Sequence, residues 1–141
     1  MKLKTTRAEV WAATIEDRPG GLHEKLAALA SGGVNIEFIV SRRAPDQPGK
    51  GVVFVTPIKG ARQKKGAQAA GFARSDSLHS VRVEGADKPG LGAVVTEALA
   101  DAGINLRGLS GAGFGRKVVV YLALDSAEDA TRAMGVLKKL S

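Results

Sequence analysis

Two short motifs combine residue types that could bind a small charged molecule. An Asp-x-Pro-Gly turn at residues 17–20 is followed by Asn35, and the pattern returns at residues 87–90 with Asn105. A Pro-Gly turn that opens a helix leaves backbone N–H groups free at the positive end of the helix dipole, which favours a carboxylate. Asparagine adds both a hydrogen-bond donor and an acceptor. The pattern therefore predicts a site for a small zwitterion.

Groups that could carry out a reaction are scarce. The chain has no cysteine and two histidines, His23 and His79. Thiolate chemistry is thereby excluded, and two histidines alone do not complete a zinc site. No Ser/His/Asp set or acidic pair falls where both motifs would place a cleft. We expect no catalytic residues, no metal and no cofactor, and we expect that the protein is not an enzyme.

A duplication accounts for the doubled motif. Residues 17–36 and 87–106 are identical at eight of twenty positions. The two segments are offset by 70 residues, and two units of 70 fill 140 of the 141 residues, so there is no room for a separate catalytic domain. One repeat alone would bury only about 60% of its unfolded surface, so we expect the halves to pack together. We place the modules at residues 1–74 and 75–141.

Each repeat predicts the order strand, helix, strand, strand, helix. Alternating apolar residues indicate the first strands, and an apolar stripe after each Pro-Gly turn indicates a helix. The predicted strands are 9–15, 34–40 and 51–56 in the first repeat and 78–85, 104–109 and 118–124 in the second. The glycine run 111–115 predicts a hairpin turn. Ser126 and Asp129 form a capping box before the last helix, whose weaker counterpart is 61–71.

This order lacks one strand of a ferredoxin-like βαββαβ module. Residues 74–85 are long enough to close the first repeat and then begin the second. By the same offset, residues 2–6 would supply the closing strand of the second module, either within the chain or across a partner chain. The predicted fold class is α+β, with two such modules, antiparallel sheets and helices on one face.

The turn, the helix after it and the sequence Gly-[Val/Ile]-Asn-[Ile/Leu] that follows resemble the ACT domain, a regulatory module that binds amino acids. The chain resembles two of these domains in tandem over essentially its whole length. The resemblance implies a free-standing, non-catalytic regulator that binds a free amino acid at the interface between modules and acts on a regulated partner protein.

In that family, the first strand-to-helix loop of one module and the start of the second strand of another hold the ligand. The resemblance implies that the helix starts cradle its carboxylate, that the asparagines contact its polar groups, and that the residue after each asparagine lines the side-chain pocket. The candidate ligand-binding residues are Gly20, Gly21, Leu22, Asn35, Ile36, Gly90, Leu91, Gly92, Asn105 and Leu106.

Simpler roles compete at several of these motifs. Asp17 and Asp87 suit helix N-caps, because an Asp oxygen satisfies free helix donors. Asn35 and Asn105 could equally pin the Asp-x-Pro-Gly loops by side-chain hydrogen bonds.

The third strands, around Val52–Val55 and Val118–Leu122, are apolar on both faces. A sheet that carries helices on one side only should alternate. Something must cover the second face, and we expect a homodimer that packs sheet against sheet.

The net charge of +7 raises the alternative of a ferredoxin-like RNA-binding protein. Residues 50–55 partly match a ribonucleoprotein signature, but Val52 and Pro57 stand where stacking aromatics are required. Nucleic acid is thus the less favoured partner. The sequence has neither a signal peptide nor an apolar run long enough to span a membrane, so we expect no membrane association and a cytoplasmic location.

Overall fold

The computed structural model describes residues 2–140 and divides the chain into two compact units. The first module is Glu9–Ser75. The second module comprises the described residues of Met1–Ala8 and Asp76–Ser141. Each holds one four-stranded antiparallel sheet and two helices. The α+β fold with two ferredoxin-like modules is confirmed.

The elements of the first module, in chain order, are β2 (Trp11–Glu16), α1 (Gly21–Ser31), β3 (Phe38–Arg43), β4 (Lys50–Thr56), α2 (Gly60–Ala69) and the two-residue β5 (Ala73–Arg74). Buried residues alternate with less buried ones along the central strand β2. The sheet order is β3-β4-β2-β5, and the strands on either side of β2 run antiparallel to it. Trp11, Val53 and Leu29 lie in one buried cluster, so both β2 and β4 turn one face towards the helices.

The second module has the same sheet order, but its outer strand comes from the start of the chain. That strand is β1 (Lys4–Ala8), and the remaining elements are β6 (His79–Ala86), α3 (Leu91–Asp101), β7 (Gly108–Phe114), β8 (Lys117–Leu124) and α4 (Ala127–Lys138). Strand β1 pairs antiparallel with β6, from Lys4 opposite Glu84 to Ala8 opposite Ser80. The sheet order is β1-β6-β8-β7. The predicted cap of α4 is confirmed, since Ser126 accepts a hydrogen bond from the Asp129 N–H at 3.0 Å.

The second strand of each repeat begins four residues later than the sequence predicts. The Val34 N–H donates to Leu29 O at 3.1 Å, and the Ile104 N–H donates to Leu99 O at 2.9 Å. In both cases the preceding glycine has a positive φ, so the helix ends in a Schellman turn. The apolar residue after that turn packs against the core beneath the helix. Its hydrophobicity therefore marks the helix end and not the start of a strand.

The glycine run 111–115 lies mostly within β7, so the prediction of a turn over its whole length is wrong. The turn consists of Gly115, with a φ of 61°, and Arg116. A Cβ on Gly111 would lie 3.3 Å from the Val120 Cγ2 and 3.4 Å from the Val119 carbonyl oxygen. A side chain at this position would therefore be crowded against β8.

Three large apolar residues that lie outside the helix-facing clusters are nevertheless buried. Phe54 on β4 is 9% exposed, and Val119 and Tyr121 on β8 are 8% and 9% exposed. None of the three belongs to the cluster that faces the helices. The homodimer that packs sheet against sheet stays a prediction.

Candidate functional site

Helices α1 and α3 begin in the same unusual way. The residue before each helix is a glycine in the left-handed conformation, Gly20 with φ 85° and Gly90 with φ 90°. Neither helix start has a side-chain cap. Glycine is favoured at these positions because other residues rarely adopt a positive φ.

The assignment of Asp17 and Asp87 as helix N-caps is wrong. Each aspartate stands before the Pro-Gly step, which moves the start of the helix beyond the reach of its side chain. Asp17 instead accepts a hydrogen bond from the Arg43 Nε at 2.9 Å. The glycine caps carry no side chain that could take over this role.

Backbone donors therefore remain open at both helix starts. The Gly21 and Leu91 N–H groups bond back to carbonyls of their own turns, at 3.0 and 3.4 Å. The next two amides in each helix have no acceptor among residues 2–140. They belong to Leu22 and His23 in α1, and to Gly92 and Ala93 in α3. Two adjacent free N–H groups at the positive end of a helix dipole can bind a carboxylate.

The glycines at these starts serve different purposes. A Cβ on Gly20, Gly90 or Gly92 would meet no atom within 4 Å, so these positions are open. A Cβ on Gly21 would lie 2.1 Å from the Glu16 carbonyl oxygen. Gly21 is thus required for packing of α1 against β2, whereas the sequence suggested only that it admits a ligand.

The four apolar candidates contribute to the module cores. Leu91 is 5% exposed and belongs to the core of the second module. Leu22 and Ile36 pack against the core of the first module, and Leu106 packs against that of the second. These three are half-buried, so only part of each side chain remains free to contact a ligand.

Asn35 and Asn105 are exposed and lie in the connections that follow the Schellman turns. They precede the second strands, whereas the sequence predicted that they enter them. The Asn105 Oδ1 accepts a hydrogen bond from the Leu106 N–H at 2.9 Å, which leaves its amide nitrogen free to donate. Within the described part of the chain, the Asn35 side chain has no hydrogen-bond partner.

Each asparagine is too far from the turn of its own module to pin it. The turn precedes α1 or α3 and the asparagine follows it, and both helices have 11 residues. Eleven residues span about 16 Å at about 1.5 Å each. The pinning hypothesis is therefore wrong, and one amino acid cannot touch both motifs of a single module.

The sequence did not reveal the charge pairing around the first turn. Arg18 donates to the Glu24 Oε1 at 2.7 Å, and this hydrogen bond raises the pKa of Arg18. Both side chains are more than half exposed, so the pair contributes little to stability. Lys88 at the second turn has no ion pair among residues 2–140. Of the two cations beside the turns, Lys88 is the one free to attract a ligand carboxylate.

No protein-family model matches this sequence, and no curated protein matches it. Solved structures do match. Protein BT0572 from Bacteroides thetaiotaomicron is 17% identical with a TM-score of 0.79, over 96% of this chain and 90% of that chain. The ligand-free regulatory subunit of aspartate kinase from Thermus thermophilus is 18% identical with a TM-score of 0.64, over 99% of this chain and 96% of that one.

A third match is to part of a larger enzyme. Aspartokinase III from E. coli, in complex with aspartate and ADP, is 16% identical with a TM-score of 0.58, over 97% of this chain but 32% of that one. The chain therefore has the tandem ACT-type fold of aspartate kinase regulatory domains. In the described part of the chain, no helix combines the length and hydropathy that crossing a membrane requires.

Proposed function

We propose that this chain is a non-catalytic regulatory protein that binds a free amino acid. The observation that carries the proposal is the pair of uncapped helix starts, each preceded by a left-handed glycine, at Gly20 and Gly90. A small carboxylate fits two adjacent free amides on an open glycine turn, because nothing there blocks its approach.

The asparagines supply the second half of the proposed recognition. The Asn105 amide nitrogen and the whole Asn35 carboxamide are free to bond the ammonium or carboxylate of the ligand. The exposed parts of Ile36 and Leu106 would contact its side chain. Since a module holds its turn and its asparagine at opposite ends of one helix, a bound amino acid draws these contacts from two modules.

Fold comparison supports the ligand class. Aspartate kinase regulatory subunits share this fold, and the E. coli structure contains aspartate. A ligand that bridges two modules stabilises one arrangement of them over others. We propose that this shift is the regulatory signal, that a partner protein receives it, and that the working form is a homodimer.

Thermal unfolding with each of the twenty free amino acids tests the proposal. A ligand that binds only the folded protein adds about 2.7 kcal/mol at a hundred times its dissociation constant. For a chain of this size, the melting temperature should rise by roughly 5 °C or more. One amino acid, or a chemically related few, should produce this rise. If none of the twenty shifts the melting temperature at millimolar concentration, the protein does not bind a free amino acid.

A further inference from the structure

The second module contains a cavity of about 510 Å³ at the end of its sheet, and this cavity is largely open to solvent. The segments around it are the start of β1, the end of β6 and the β7–β8 turn. Its lining residues are Lys2, Leu3, Lys4, Glu84, Gly85, Ala86, Arg116 and Lys117. Four of these side chains are cationic and one is anionic. This volume is typical of pockets that take small molecules.

Most of the positive charge in this cavity is not neutralised by the protein. Glu84 is engaged by the Arg82 guanidinium at 3.2 Å and by the Lys117 Nζ at 3.9 Å. The side chains of Lys2, Lys4 and Arg116 take part in no ion pair among residues 2–140. Like charges that line one cavity repel one another, so an anion bound between them would reduce this repulsion.

The first module provides an internal comparison, because it neutralises the equivalent corner. There Glu16 lies opposite Lys50 in the β2–β4 register, and the two side chains form an ion pair. In the second module, Ala86 lies opposite Lys117 at the same place. The second module lacks this carboxylate, and Lys2 and Lys4 add two further lysines there. The short β5 of the first module pairs only with Trp11 and Ala12 and does not extend to that corner.

We propose that this cavity binds a small organic anion with two or more negative charges, such as a phosphate ester or a dicarboxylate. Arg116 and the lysines contact its charged groups, and Leu3 and Ala86 contact its apolar part. Charge-assisted hydrogen bonds to such groups are short and strong. The cavity lies within the second module and adjoins the Asp87–Gly90 turn, since the Asp87 N–H donates to Arg116 O at 2.9 Å. None of its lining residues is among the proposed amino-acid ligands.

Calorimetry on the full chain at low ionic strength tests this inference, with pyrophosphate and succinate as probes and chloride at matched ionic strength as the reference. Binding of pyrophosphate assigns the cavity to phosphate groups, and binding of succinate assigns it to dicarboxylates.

The double variant Lys4→Gln/Arg116→Gln should weaken binding of that probe at least about tenfold, as expected for two lost charge-assisted contacts. The matched control Lys64→Gln/Lys65→Gln, on α2 of the first module, should change affinity by less than about twofold.

A second variant adds the carboxylate that the first module has. Ala86 is exposed, so Ala86→Glu should fold normally and abolish binding of the probe. The control Ala100→Glu, at an exposed position of α3, should leave binding of the probe unchanged. The inference is overturned if neither probe binds more tightly than chloride. It is also overturned if the control variants weaken binding as much as the cavity variants do, since binding would then reflect net charge alone.

Discussion

Gly21 lies directly against Glu16: a Cβ on Gly21 would come within 2.1 Å of the Glu16 carbonyl oxygen. The same position in the second module is Leu91, whose side chain is buried. In the second module, the residue that corresponds to Ile15 is Gly85, and a Cβ on Gly85 would lie 3.4 Å from a Leu91 methyl carbon. Gly85 thus leaves room for the Leu91 side chain, whereas Gly21 leaves room for the Glu16 carbonyl.

This packing predicts opposite effects for two glycine substitutions. Gly21→Ala should destabilise the chain by about 1 to 3 kcal/mol, because α1 must move away from β2. Gly92→Ala meets open space and should be neutral or stabilise by up to about 1 kcal/mol, because alanine favours the helix. Chemical denaturation of both variants measures the difference. Equal effects would mean that α1 is not seated on β2 as described.

Removal of residues 1–6 should destabilise the second module more than the first. The truncation deletes the β1 residues opposite Arg82, Val83 and Glu84, which exposes one edge of β6. Hydrogen exchange should show faster exchange along β6 and β8, while β4 of the first module serves as the internal control. Loss of protection confined to β2 would contradict the assignment of β1 to the second module.

The pKa of Glu84 should make stability depend on pH. The hydrogen bond from Arg82, and then the charge of Lys117, hold this pKa below its ordinary value. A carboxylate with a lowered folded-state pKa stabilises the fold above the unfolded-state value of about 4.3, and the effect is lost as pH falls through the folded-state value. Glu84→Gln should therefore be less stable than the parent at pH 7.

Urea unfolding at pH 7 and at pH 3 measures this effect. The gap between Glu84→Gln and the parent protein should narrow at the lower pH. The control is Glu97→Gln, at an exposed position of α3, whose free energy of unfolding should differ little from that of the parent at both pH values. A Glu84→Gln gap that is the same at both pH values would show that the carboxylate charge is not what stabilises the fold.

Exposed apolar residues on the outer strands make a homodimer testable. Leu109 on β7 is 47% exposed, and Ile39, at the same place in the first repeat, is 41% exposed. Outer strands with exposed apolar side chains favour association. Sedimentation at tens of micromolar should show a dimer that Leu109→Lys weakens and Val94→Lys, on helix α3, does not. A parent protein that sediments as a monomer at that concentration would contradict the proposed homodimer.

Local sequence signals predicted those elements whose residues interact within a few positions. Ser126 and Asp129 form the expected cap because both partners lie within one helical turn. The repeat supplied the fold class, since the same periodicity occurs twice. The predictions for Asp17 and Val34 were wrong because each residue fits two local structures. The cap of α1 is Gly20 and not Asp17, and Val34 belongs to the turn that ends α1 and not to a strand.

The pairing of residues 2–6 with the second module could be predicted from the repeat, but the register between distant segments could not. The cavity requires the register that sets Lys4 opposite Glu84 and Ala86 opposite Lys117. The tight contact of Gly21 requires the position of a carbonyl on a neighbouring strand. The open glycine turns could be predicted, because glycine tolerates a positive φ. The extent to which the leucine and isoleucine candidates are buried in the module cores could not.

The most direct test of the central claim is calorimetric titration of the stabilising amino acid into asparagine variants. Asn35→Ala and Asn105→Ala are compared with Gln68→Ala, which removes an exposed amide from α2. At least one asparagine variant should lose about 0.5 to 1.5 kcal/mol of binding free energy, and more if the lost bond meets a charged group. Gln68→Ala should bind as the parent does. If both asparagine variants fold and bind with unchanged affinity, the amino acid does not bind at these motifs and the proposed site is wrong.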